Sequence, residues 1–158
     1  VMTLMTSQAP WSDPGLSLPE MKHLKIQYPS LKTVRSHILP NGNSGIVTIS
    51  MLGVKSHTDD TTVKYDLIID FRRFPVSPPS AYVRHPTDPD IRHVNIGEGT
   101  RVAFAPRAEI CWVCVGGKFP EQFESYARDR KFRLATYIQQ LQYTLRNPNP
   151  MDCARHTS

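Results

Sequence analysis

The chain is poor in cysteine, in glycine and in long apolar runs, and each shortage excludes something. Three cysteines in 158 residues cannot build the disulfide framework of a small secreted domain. Their odd number predicts thiols kept in a reducing, cytoplasmic compartment. No apolar stretch approaches the ~18 residues of a spanning helix, and Leu67-Ile68-Ile69 is cut off at once by Asp70, so no membrane contact is expected. The first residues lack a basic segment followed by an apolar one, and no signal peptide is expected. The eight glycines form no nucleotide-binding pattern. Gly97-Glu98-Gly99 is too short for a phosphate loop or a dinucleotide fingerprint, and no cofactor is expected.

What remains is enough for one folded domain. Hydrophobic residues make up 39% and charged residues 21% of the chain, a composition that supports a single core and not a disordered tail. The net charge is +5, yet the basic residues are scattered. Their one cluster is Arg128, Arg130, Lys131 and Arg133, interleaved with Tyr126 and Phe132. It reads as the solvated start of a helix, since a nucleic-acid site would show a basic stripe or a known motif. No specific nucleic acid is therefore expected.

Local signals divide the chain. Residues 1–16 read as a flexible arm, 17–152 as one domain and 153–158 as a tail. Ser17-Leu18-Pro19-Glu20 has the pattern of a capping box with proline in the first turn, which predicts a short helix ending before Pro29. Runs over 31–39, 45–52 and 61–71 carry β-type patterns separated by turn residues such as Pro40-Asn41-Gly42-Asn43, and 81–84 supplies a fourth short strand. Together they predict a four-stranded antiparallel meander. Phe74 to Pro79 holds three prolines and must run extended. Residues 86–109 show no period and read as a long functional loop in which 101–104 pair briefly. Leu134, Tyr137, Ile138, Leu141 and Leu145 recur at helical spacing, predicting a helix over 131–146 that Asn147-Pro148-Asn149-Pro150 ends. The class is α+β.

This order of elements and motifs resembles the ubiquitin-conjugating (E2, UBC-like) superfamily over about residues 17–152. Phe74-Pro75 and Pro78-Pro79 stand where the family has its proline passage. His93-Val94-Asn95 stands for a histidine-proline-asparagine tripeptide, Ile110-Cys111 for the nucleophile pair, and Asn147 to Pro150 for the helix stop. There are departures. Val94 replaces the proline, and Trp112 replaces a leucine. His93 and Cys111 stand about twice as far apart as usual, which implies an insertion over 96–108. The two C-terminal helices of many members have no counterpart, so the resemblance implies a shortened UBC-like fold. It is similar to bacterial E2-like proteins encoded beside nucleotide-cyclising synthases in anti-phage (CBASS-type) operons.

The resemblance implies an acyl transferase. Cys111 would form a thioester with the C-terminal glycine of a partner, either a ubiquitin-like protein or a CD-NTase-type synthase, activated by an E1-like enzyme, and pass it to an amine. Asn95 would stabilise the tetrahedral intermediate or brace its loop. His93 would lock that loop, and Asp152 would orient the incoming amine. Each residue has a plainer reading: Cys111 as a buried core cysteine, Asp152 as an exposed carboxylate. Cys114 is the fallback nucleophile.

Other functions compete. An inactive UBC- or RWD-like binding module fits the same pattern with its departures. Cys111, Cys114, Cys153 and His156 could together ligate zinc. A thioredoxin-type dithiol lacks the βαβ setting, and a Cys111–His93 hydrolase lacks a family signature.

Overall fold

The computed structural model describes residues 13–87, 92–102 and 104–151. It is an α+β fold with three α-helices packed on a six-stranded antiparallel sheet among the described residues. In chain order the elements are α1 (Leu18–Gln27), β1 (Lys32–Thr33), a 3₁₀ turn (Arg35–His37), β2 (Ile46–Ser56) and β3 (Asp59–Asp70). Then follow β4 (Ser80–His85), β5 (Ile96–Val102), β6 (Ala105–Val113), α2 (Phe119–Ser125) and α3 (Arg130–Arg146). The sheet order is β1-β2-β3-β4-β6-β5. None of the described helices is long and apolar enough to cross a membrane.

The first helix begins where its capping box lies. Ser17 Oγ accepts from Glu20 N at 3.3 Å while Glu20 Oε1 accepts from Ser17 N at 2.9 Å, so two orphan amides of the first turn are satisfied reciprocally. Leu16, one residue before the cap, and Met21, on the fourth helical position, both enter the core. Residues 13–16 are thus tied down, not part of a loose arm: Leu16 N donates to Ser44 O and Gly15 N to Phe74 O, each at 2.9 Å. The Glu20 carboxylate also pairs with Arg130 Nη2 at 2.8 Å, clamping α1 to the start of α3. Burial pushes the Glu20 acid up, but the hydrogen bonds and charge of Arg130 and the Ser17 amide outweigh it and hold the carboxyl below its ordinary value.

The sheet differs from a four-stranded meander at both ends. Of the run over 31–39, only Lys32 and Thr33 form a strand ladder with β2. The chain then coils through the 3₁₀ turn so that Ile38 bridges Ser44 across a turn closed at Gly42, whose φ of 87° is open to glycine at no steric cost. At the other end, the expected long loop contains a hairpin. β5 pairs with β6, and β6 lies against β4. Its register shifts between Ile96 and Gly99 and again between Thr100 and Val102, which breaks the two-residue period that reveals a strand in sequence. The central β2–β3 hairpin alternates as expected: Val47, Ile49, Met51, Tyr65, Leu67 and Ile69 face the helices and are buried. The opposite face holds a smaller cluster of Ile46, Ile68 and Ile110, with Val34, Tyr82 and Phe104 packed against it.

Helix α2 was hidden between the glycines and the basic cluster. Its signals are Phe119 and Phe123 one turn apart, both buried, with Pro120 in the first turn. The basic cluster is not a purely solvated face. Arg133 is 4% exposed. Its guanidinium donates to five carbonyls: Pro75 at 3.1 Å, Val76 at 3.3 Å, Glu124 at 3.3 Å, Tyr126 at 2.8 Å and Ala127 at 3.4 Å. It lies over the Phe123 ring at 4.9 Å. One planar cation thereby fastens the proline passage, the end of α2 and the start of α3. Replacing it with lysine keeps the charge but offers one tetrahedral nitrogen in place of a five-donor fork. Arg133→Lys is expected to lose about 2–4 kcal/mol of stability in urea unfolding; a loss below about 0.5 kcal/mol would contradict this role.

Candidate functional site

Helix α3 has to end at its proline stop. Pro148 has no N–H to offer Thr144 O and disfavours a helical residue before it. The last carbonyls of a helix need other partners. Tyr143 O receives the backbone N–H of Asn147 at 2.8 Å and its side-chain amide at 3.0 Å. Leu145 O accepts from His93 Nε2 at 3.0 Å. Asn149 N–H, which a continuing helix would direct to Leu145 O, donates instead to Asn95 Oδ1 at 2.9 Å. The segment His93-Val94-Asn95 thus supplies both halves of the missing helical hydrogen bond.

The segment is itself held rigidly. Asn95 N donates to His93 Nδ1 at 3.2 Å, so the imidazole is the neutral tautomer with its proton on Nε2, pointing at Leu145. Ile96 N donates to His93 O at 3.0 Å, and Cys114 N to Asn95 O at 2.8 Å. His93, Asn95 and Val94 are 0%, 2% and 9% exposed. The Tyr65 ring stands edge-on to His93, with centroids 6.1 Å apart. The Tyr65 hydroxyl donates to Val54 O at 2.6 Å, and burial pushes its phenol far above the ordinary value. Gly53 of β2 completes the contact: a Cβ there would lie 2.6 Å from Leu145 O and 2.9 Å from Leu145 Cβ. Only glycine lets the strand pass the helix end so closely.

Cys111 is elsewhere. It sits within β6, paired with Val83 of β4 on one side and Gly99 of β5 on the other. It is 5% exposed and belongs to the main core with Val83 and Val113. It stands inside a regular strand with its side chain turned into the core. The reason is the alternation of Ile110-Cys111-Trp112-Val113: Ile110 and Trp112 take the outer face, while Cys111 and Val113 turn toward the helices. Asn95 lies opposite Cys114, three strand positions from Cys111, which is about 10 Å at strand rise. An oxyanion donor has to stand ~3 Å from the reacting oxygen.

The structure therefore brings His93 and Asn95 together with the helix stop, and leaves Cys111 in the adjoining strand. Asp152 lies outside the described residues. Cys114 is disulfide-bonded, so the expectation of three reduced thiols fails there and the fallback nucleophile is removed. Two of the four zinc candidates, Cys153 and His156, also lie outside the described residues. Among the described residues no group of three or more His, Cys, Asp or Glu could hold a metal. No sequence motif marks Gly53, Tyr65 or the Leu145 carbonyl as parts of this contact; the available signal for close approach was a glycine directly after the strand run 45–52. Comparison with known proteins finds no matching family model, no matching curated protein and no matching solved structure.

Removing the imidazole leaves the Leu145 carbonyl and the Asn95 amide buried without these partners, and a cavity beside Tyr65. His93→Ala is expected to cost about 3 kcal/mol, and Asn95→Ala about 1–3 kcal/mol, both read from urea midpoints at unchanged m-value. Two near-neutral variants would overturn the bracing role.

Proposed function

We propose that the chain is a UBC-like protein-binding module in which the residues matching the E2 transfer site hold the fold together. The observation that carries this reading is the place of Cys111: inside a strand, paired on both sides, with its side chain in the core. A thioester-forming sulfur has to meet the carboxyl terminus of a partner protein, and a thiol 5% exposed offers no approach. His93 and Asn95 are spent on the end of α3. What such a domain offers a partner is its surface.

A second reading, acyl transfer through Cys111, is favoured by one observation. The histidine–asparagine segment and the proline stop, two of the motifs that carry the E2 resemblance, are bonded to each other. For transfer, the β5–β6 hairpin would have to peel from β4 to bare the sulfur. The donor would then be a ubiquitin-like protein or a nucleotide-cyclising synthase activated by an E1-like enzyme.

One experiment separates the two. The full chain is incubated with a ubiquitin-like protein, an activating enzyme and ATP, and resolved without reductant. The module reading predicts no reducible adduct, and labelling of Cys111 by a thiol reagent at least a hundredfold slower in the native protein than in urea. An adduct that dithiothreitol cleaves, and that Cys111→Ala abolishes, would establish transfer instead.

A further inference from the structure

Between α1 and α3 runs an open apolar groove of about 860 Å³. Its floor is built by Leu24, Leu134 and Ile138, and the exposed Ile26 and Tyr143 form its rim. The floor is anchored from below: Gln142 accepts from the Tyr28 hydroxyl at 3.2 Å and donates to Leu52 O at 2.7 Å. We infer that this groove docks an amphipathic helix of a partner protein, with an apolar middle and acidic residues at both ends. The inference rests on the module reading and names the surface the module uses.

Three observations select that occupant. The walls are two helices whose backbone groups are bonded internally, so an extended peptide would find no main-chain partners, whereas a helix brings its own hydrogen bonds. The one acid in the lining, Glu20, is turned to Arg130 at 2.8 Å. The unbalanced charges of the lining are Lys131 at one end of α3 and Arg146 at the other. Fifteen residues of helix separate them, roughly 22 Å at 1.5 Å per residue. Two cations at that distance complement a helix of about four turns carrying acid at each end. A single-headed amphiphile would satisfy only one of them. Ala135 and Gln139 lie between the cations on the same stripe, exposed and small or flexible enough to admit apolar side chains.

The test uses the full chain and a phage-displayed library of amphipathic 16-residue helices, randomised at both ends and along the apolar stripe. Enriched peptides are expected to carry Asp or Glu at both ends. Their affinity, read by fluorescence anisotropy, should fall at least tenfold with Ala135→Arg, which fills the groove from an exposed helical position. The same loss is expected with Lys131→Glu combined with Arg146→Glu. Peptides with lysine at both ends should recover binding to that doubly reversed variant. Circular dichroism checks that the variants remain folded. The inference is overturned by no enrichment, by enrichment without acidic ends, or by binding that a folded Ala135→Arg variant leaves unchanged. A concentration-dependent dimer abolished by Ala135→Arg would assign the groove to a second copy and also overturn it. Peptides that bind another face remove the groove but leave the module reading standing. A reducible adduct on Cys111, read in the separate transfer experiment, removes the module reading and with it the basis of this inference.

Discussion

Most of the molecule is organised around one carbonyl, that of Leu145. It ends the last helix, and the proline three residues later prevents the chain from satisfying it in the usual way. The imidazole of His93 fills that role from 52 residues upstream. The donor it displaces, Asn149 N–H, is taken by Asn95 two residues further on. The helix stop, the segment entering the β5–β6 hairpin and the middle of β2 therefore meet at one point, and Gly53 is the residue whose missing side chain permits the meeting. A buried polar network of this kind stabilises only when every member is satisfied. Its neutral imidazole, with a donor on one side and an acceptor on the other, meets that condition at His93.

The same network decides how the cysteine chemistry is read. A histidine and an asparagine near a cysteine suggest catalysis when only their order is known. Here the histidine donates to a helix carbonyl and the asparagine accepts from a backbone amide, and both face inward. The adjoining hairpin places Cys111 between two strands, where its sulfur is packing material. The surface that is left open lies on the other side of the helical layer, between α1 and α3. A fold held from within by His93 and Asn95, with an apolar groove outside, is the basis on which we propose a binding module.

Much of the framework was legible in the sequence because the signals are local. The capping box at Ser17 and Glu20, the proline stop after Arg146 and the turn at Gly42 each involve residues within a few positions of one another. The β2–β3 hairpin was legible because Val47 to Met51 alternate cleanly and the run over 61–71 ends in the apolar Leu67-Ile68-Ile69, buried on both faces of the sheet. The β5–β6 hairpin was not, because its register shifts twice and Gly97 and Gly99 erase the apolar period. Arg133 was misread for a related reason. Its burial comes from five carbonyls contributed by residues 75, 76, 124, 126 and 127, and no local pattern marks an arginine that will be enclosed. The pairing of His93 with Leu145 was likewise out of reach of spacing, because 52 residues separate the two.

The most direct test of the latch is native-state hydrogen exchange at the amide of Asn149. Asn149 is an exposed residue in the irregular segment beyond α3, where an amide bonded only to water would exchange at the rate of an open chain. If Asn95 holds it as described, that amide exchanges only when the core opens, with a protection factor approaching that of Leu141 in the buried face of α3. Exchange at open-chain rates, with Leu141 still protected, would show that the segment from His93 to Asn95 does not hold the end of the helix and would remove the basis for reading those residues as structural.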